Sequence, residues 1–186
     1  MTVALATQAR PPLALTDPAA FEAVYQRCHR EVFRYTLALC GGSAAEAEDV
    51  TAETFLRAWR ARSRFVGGEG QALGWLLTIA RNILIDKRRL DQGSPAIEPL
   101  DAEISAAALD MDELLIHQEE LELVLVLLQQ LPLAQREIVI LRYLLDWRVK
   151  AIAQHLNISE NAASVALHRA IKHVRSALSA GQGGSR

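Results

Sequence analysis

Apolar side chains recur along the chain at three- and four-residue intervals, the spacing of one helix face, and not at the alternation expected of strands. A first helix is predicted from Thr16-Asp17-Pro18, where the threonine hydroxyl can cap and the proline suits the opening turn. Phe21, Val24, Tyr25, Cys28, Val32, Tyr35 and Leu39 mark its inner face, and Gly41-Gly42 stops it. Ser43 and Glu46 then have the spacing of a capping box, opening a second helix to about Arg62 with Val50, Phe55, Leu56 and Trp59 as apolar positions. Gly67-Gly68-Glu69-Gly70 interrupts the pattern. A third helix is predicted near Ala72 to Leu90, apolar at Leu73, Trp75, Leu76, Leu77, Ile79, Ile83 and Leu84 and ending in Lys87-Arg88-Arg89. In the second half a leucine-rich helix spans roughly Met111 to Leu131, and Pro132 opens another through Leu145. The fold class this predicts is all-α.

The most specific local pattern follows. Val149 to Leu156 and Glu160 to about Leu178 are two helical stretches separated only by Asn157-Ile158-Ser159. Asn157 suits the left-handed residue that ends a helix, and Ser159 suits the cap of the next. Ile152, Ala153, Leu156 and Ile158 are expected to pack on Ala163, Leu167, Ile171 and Val174, giving a helix-turn-helix. Asn161, Ser164, Val165, His168, Arg169 and Lys172 then face outward, a set able to enter a major groove, with Arg148 and Lys150 placed to clamp flanking phosphates.

Composition supports a helical globular chain: of 186 residues, 30 are alanine and 28 leucine, with only 5% aromatics. Cys28 and Cys40 cannot make a disulfide framework, which points to a reducing cytoplasm. No apolar run reaches the length of a membrane span, and MTVALATQARPPLAL is expected to be a disordered leader. The formal net charge of −2 at first argues against nucleic acid. Its distribution reverses that. Residues 91–122 hold ten acidic side chains and no Lys or Arg, so the rest of the chain carries 20 basic against 12 acidic residues, a net of +8. An acidic connector, with Gly93, Pro95 and Pro99 at its start, separates two basic halves.

Candidate chemistry is that of binding. Arg81 and Asn82 precede Lys87-Arg88-Arg89 on one helix, a polar and basic ridge that can follow a DNA strand. Phe65 and Trp75 can stack on an unpaired base, although core packing is an equal reading for Trp75. Trp59 reads as core or as an interface anchor, and Trp147 as packing. The histidines at 29, 117, 155, 168 and 173 have no metal-ligand spacing, and no glycine-rich phosphate loop or nucleophile–base pair occurs. No active site, cofactor or metal is expected.

Two segments resemble a known family. Glu48–Trp59 and Gly74–Arg89 are similar to the second conserved region of bacterial extracytoplasmic-function sigma factors. Leu131–Tyr143, with the helix-turn-helix and Leu167-His-Arg-Ala170, resembles their fourth region, in the same order. The resemblance implies a leader at 1–16, a region 2 domain at 17–90, an acidic linker at 91–117, a region 4 domain at 118–180 and a tail at 181–186. It implies a non-catalytic specificity subunit whose partners are core RNA polymerase (the clamp of the largest subunit and the flap), promoter DNA and an anti-sigma factor. Asp49, Glu53, Phe55, Leu56 and Trp59 match the polymerase-binding positions. Phe65, Trp75, Arg81, Asn82, Lys87, Arg88 and Arg89 fall to the minus-ten element, with the loop near Val66–Gln71 matching the pocket for a flipped base. Arg148, Lys150, Asn161, Ser164, Val165, His168, Arg169 and Lys172 fall to the minus-thirty-five element.

The chain departs from the family at Ala52, usually glutamine, at Ala151, commonly glutamate, and at Ser164 and Ala166, often lysine and arginine. Fewer phosphate contacts imply weaker, less salt-sensitive duplex binding. The competing readings are a stand-alone helix-turn-helix regulator and an all-helical interaction adaptor.

Overall fold

The computed structural model describes residues 13–91 and 118–182. Most of the expected leader, the connector from 92 to 117 with the start of the leucine-rich helix, and the last four residues lie outside the described residues. The described residues are helical, with no strand among them.

Three helices form the first half: α1 (Pro18–Leu39), α2 (Ala44–Ala61) and α3 (Glu69–Asp91), with a 3₁₀ turn at Arg62–Arg64. The cap of α1 is Asp17, not Thr16: its carboxylate accepts the Ala19 N–H at 3.1 Å. Gly41 and Gly42, at φ +72° and +93°, end α1, and the Gly42 N–H returns to the Leu37 carbonyl at 2.9 Å. Ser43 Oγ caps α2 by accepting the Glu46 N–H. α3 begins at Glu69, three residues before its expected start, and so takes in Gly70.

The second half is α4 (Gln118–Gln129), α5 (Leu133–Val139), a π-helical turn at Ile140–Leu144, α6 (Val149–Leu156) and α7 (Glu160–Gln182). The helix expected to run straight through Leu145 therefore widens in its last turn. The Leu145 N–H reaches back to Ile140 O, and Asp146, at φ +52°, stops it.

One hydrophobic core runs through both halves. Val24, Val32, Tyr35 and Leu39 of α1 and Leu76, Leu77 and Ile83 of α3 share it with Leu125, Leu128, Leu141 and Ile152. Burying each such aliphatic side chain contributes about 1.5–3 kcal/mol. α1 packs against α2 and α3 on one side and against α4, α5 and the π turn on the other. The two halves are therefore joined by packing as well as by the connector.

Candidate nucleic-acid and polymerase interface

Between α6 and α7 the chain turns on Asn157, which adopts the left-handed conformation at φ 54°, ψ 47°, and Ser159 Oγ accepts the Ala162 N–H at 3.1 Å. Ile152, Ala153 and Ala163 are buried, with Leu156, Leu167 and Val174 packed on the core. Two details differ from expectation. Ile158 is 40% exposed, because the turn lifts it off the pair, and Ala170 takes the fully buried place given to Ile171. Ile171 instead lines a shallow groove with His168, Lys172, Arg175 and Ser176. Asn161, Ser164, Val165, His168, Arg169 and Lys172 are all exposed on α7. Arg148, in extended backbone just before α6, and Lys150 are exposed too.

On α2, Asp49 and Leu56 are exposed, while Glu53 is half-buried and accepts from Arg57 Nε at 2.7 Å one turn on. Phe55 lies beneath them. Its ring meets Tyr25 edge-on at 4.7 Å and stacks with His29 at 5.9 Å, and with Glu48, Thr51 and Ala52 these rings line a groove of about 370 Å³. Trp59 packs edge-on against Phe21 at 5.0 Å, with the Arg62 guanidinium 3.8 Å above its ring.

Phe65 and Trp75 meet with ring centroids 5.0 Å apart, both partly buried against the core. The basic ridge of α3 is split. Residues seven apart share a face and neighbours differ by about 100°. Asn82 and Arg89 are accordingly exposed, whereas Arg81 and Arg88 turn toward the rest of the protein. Arg81 Nε donates to Glu137 Oε2 at 2.7 Å, and Arg88 Nη2 donates to the Leu39 carbonyl at 3.1 Å. Lys87 is half-buried and belongs to neither stripe, lying about 100° round the helix from Arg88 on the side away from Arg89. The expectation of five residues on one open ridge is corrected to this extent.

The partners of Arg81 and Arg88 belong to a polar seam that sequence reasoning missed. Glu137 is 1% exposed and also accepts from the Tyr35 hydroxyl at 2.8 Å. Burial and the neighbouring carboxylate raise the Tyr35 hydroxyl pKa well above its usual value. Arg136 donates to the Leu128 and Gln129 carbonyls, both at 2.8 Å, to Leu131 O at 3.2 Å, to Leu39 O at 3.1 Å and to the Gln129 side-chain oxygen. It thereby satisfies carbonyls at the ends of α4 and α1. Burial, then Arg88, lowers its pKa to about 10. The available signal was the pair Arg136-Glu137 set inside the apolar run from Leu131 to Leu145.

Beside this seam, Trp147 and His155 meet edge-on at 5.2 Å and cover Gly74 of α3, where an added Cβ sits 3.6 Å from Trp147 and 3.8 Å from His155. His155 Nε2 is buried without a hydrogen-bond partner, and burial, then Arg81, lowers the imidazole pKa to about 4. Among the described residues no cluster of three or more His, Cys, Asp or Glu is arranged to hold a metal. No helix among them is long and apolar enough to cross a membrane.

Comparison with known proteins matches residues 24–93 to Sigma-70 region 2 and residues 121–174 to Sigma-70, region 4. The ECF RNA polymerase sigma factor SigL of Mycobacterium tuberculosis is 33% identical over 173 residues, covering 87% of this chain and 90% of that protein. This chain is an ECF sigma factor. It directs transcription initiation as an alternative sigma subunit of RNA polymerase, and a stand-alone regulator is not favoured. Among solved structures, RpoE in complex with the anti-sigma factor NepR from Bartonella quintana has the same fold, with TM-score 0.65 and 21% identity over 89% of this chain and 98% of that one. CnrH in complex with the cytosolic domain of CnrY aligns with TM-score 0.62 and 23% identity over 90% and 93%.

Proposed function

We propose that this sigma factor binds the largest-subunit clamp of core polymerase through the exposed side of α2, with Asp49 and Leu56 outermost, Glu53 beside them, Phe55 reached along the groove beneath and Trp59 near the C-terminal end of the helix. The acidic patch suits a basic polymerase surface. The loop before α3 with Phe65, Trp75 in the second turn of α3, and the exposed stripe of Asn82 and Arg89, with Lys87 farther round the helix, take the minus-ten strand. Arg81 and Arg88 join that ridge once the second half leaves α3. The helix-turn-helix then reads the minus-thirty-five element as duplex, with Asn161, Ser164, Val165 and His168 toward base edges and Arg148, Lys150, Arg169 and Lys172 toward phosphates. The C-terminal half also meets the flap.

The observation that carries this reading is the exposed polar and basic face of α7, aimed outward by the left-handed turn at Asn157. The protein works in the cytoplasm, with no catalytic step or cofactor of its own. An anti-sigma factor is the proposed regulator, by likeness to RpoE, which was solved bound to one. Run-off transcription with core polymerase tests the reading: promoter-dependent transcripts are expected only when the chain is added. Failure to form a complex with core on gel filtration overturns it at the first step.

A further inference from the structure

The segment before α1 is built into the loop that opens α3. Leu15 is 1% exposed in the core, and its N–H donates to Leu13 O at 3.1 Å. Leu13 in turn donates its own N–H to Gly67 O at 2.9 Å. From the other side, Arg27 of α1 donates from Nη2 to Glu69 O at 3.2 Å, with Nη1 3.4 Å from the Glu69 carboxylate. Between these two points the Gly68 N–H donates to Gln71 Oε1 at 2.9 Å. Three consecutive residues, Gly67 to Glu69, thus each have a backbone group held by α1, by the segment before it or by the first turn of α3. The approach at Gly67 is close: a Cβ there falls 2.7 Å from Gln71 Oε1 and 3.0 Å from the Phe65 ring, so it would push the Gln71 amide away from the Gly68 N–H. Val66, immediately before the pinned stretch, is 90% exposed, while Phe65 beside it rests on Trp75.

We propose that Leu13 and Arg27 are positioning residues for promoter recognition, fixing the two ends of Gly67–Glu69 and so the attitude of Val66 and Phe65 toward the minus-ten strand. The inference rests on assigning that loop to the minus-ten element. A loop fixed in advance pays no ordering entropy on binding and cannot shift to accommodate a wrong base, so pinning favours discrimination. Each pin is weak and partly solvent-exposed, so its loss loosens the loop without unfolding the domain.

The test is run-off transcription by the full chain with core polymerase on templates changed one base at a time through both promoter elements. The variants are Arg27→Ala, Arg27→Lys, Leu13→Pro (which removes the N–H) and Val66→Ser as a probe of the loop itself. Arg27→Ala is expected to reduce discrimination at minus-ten positions about three- to fivefold. The minus-thirty-five profile and core binding stay unchanged. Arg27→Lys, which can still reach the Glu69 carbonyl, restores most of the loss, and Leu13→Pro reproduces it. If Leu13→Pro fails to fold, the two Arg27 variants decide. If Val66→Ser alters the minus-ten profile while Arg27→Ala does not, the bracing role is overturned and the loop assignment stands. If none of the variants alters it, both fall. A uniform drop on every template, with no change of preference, marks Arg27 as merely structural and also overturns the proposal.

Discussion

Arg81 and Glu137 stand 56 residues apart in the chain and 2.7 Å apart in the fold, the guanidinium Nε donating to a carboxylate that solvent does not reach. Their exposures differ sharply, 37% for the Arg81 side chain against 1% for that of Glu137. Removing the arginine leaves a buried charge supported, among the described residues, by the Tyr35 hydroxyl alone, whereas converting the acid to an amide leaves only the partly exposed Arg81 charge, which water can solvate. Arg81→Ala is therefore expected to lower stability at neutral pH by about 2–3 kcal/mol, more than Glu137→Gln does. The double variant recovers part of that loss. Urea unfolding of the four proteins measures it, and a single-variant loss that simply adds in the double variant contradicts the coupling.

His155 makes the same interface sensitive to acid. Its folded pKa, lowered from 6.5 to about 4, means that the folded state binds fewer protons than the unfolded chain between those values. Stability is accordingly full above pH 6.5 and falls as pH drops toward 4, by at most about 3 kcal/mol and less with solvent screening. His155→Leu is expected to flatten that slope and, by removing an unpartnered buried nitrogen, to leave stability at pH 7.5 unchanged or raised. Denaturant titrations at pH 7.5 and 4.5 report it, and an unchanged difference between the two pH values in the variant refutes the assignment.

Asn157 and Arg81 mark what was legible in the sequence and what was not. The turn at Asn157 is local: a residue that tolerates the left-handed region, followed two positions later by a capping serine, between two apolar periods. The capping serine at 43 and the glycine pair at 41–42 are local in the same sense. Which stripe of α3 meets solvent is not local, because it depends on where the second half docks. Periodicity pairs Arg81 with Arg88 and Asn82 with Arg89, but only the partner across the interface decides which pair is covered. That partner is set by contacts such as Tyr35 to Glu137, which span 102 positions. The cap at Asp17 in place of Thr16 illustrates the smaller uncertainty of one residue at a helix end.

The left-handed turn predicts an ordered pair of variants. Asn157→Gly removes the Cβ at φ 54° and is expected to keep stability within a few tenths of a kcal/mol, whereas Asn157→Ala costs about 1 kcal/mol. Thermal melts in parallel with minus-thirty-five binding resolve the two effects. Both should track together, since the turn sets the angle at which α7 is presented. Equal stability of the two variants is the outcome that contradicts it.

Arg169 separates phosphate contact from base reading on α7. It is exposed on the same helix as Asn161 and Val165 but lies two turns or one turn beyond them, toward the flank of the outward face. A phosphate contact carries no sequence information, so Arg169→Ala is expected to weaken promoter binding by roughly 1 kcal/mol on every minus-thirty-five sequence alike, with a shallower salt dependence. Val165→Ala, in contrast, should change the ranking of sequences. Holoenzyme binding to a set of minus-thirty-five variants at two salt concentrations distinguishes them. A loss for Arg169→Ala confined to particular bases moves this residue into the base-reading set, and the face that enters the groove is then rotated toward it.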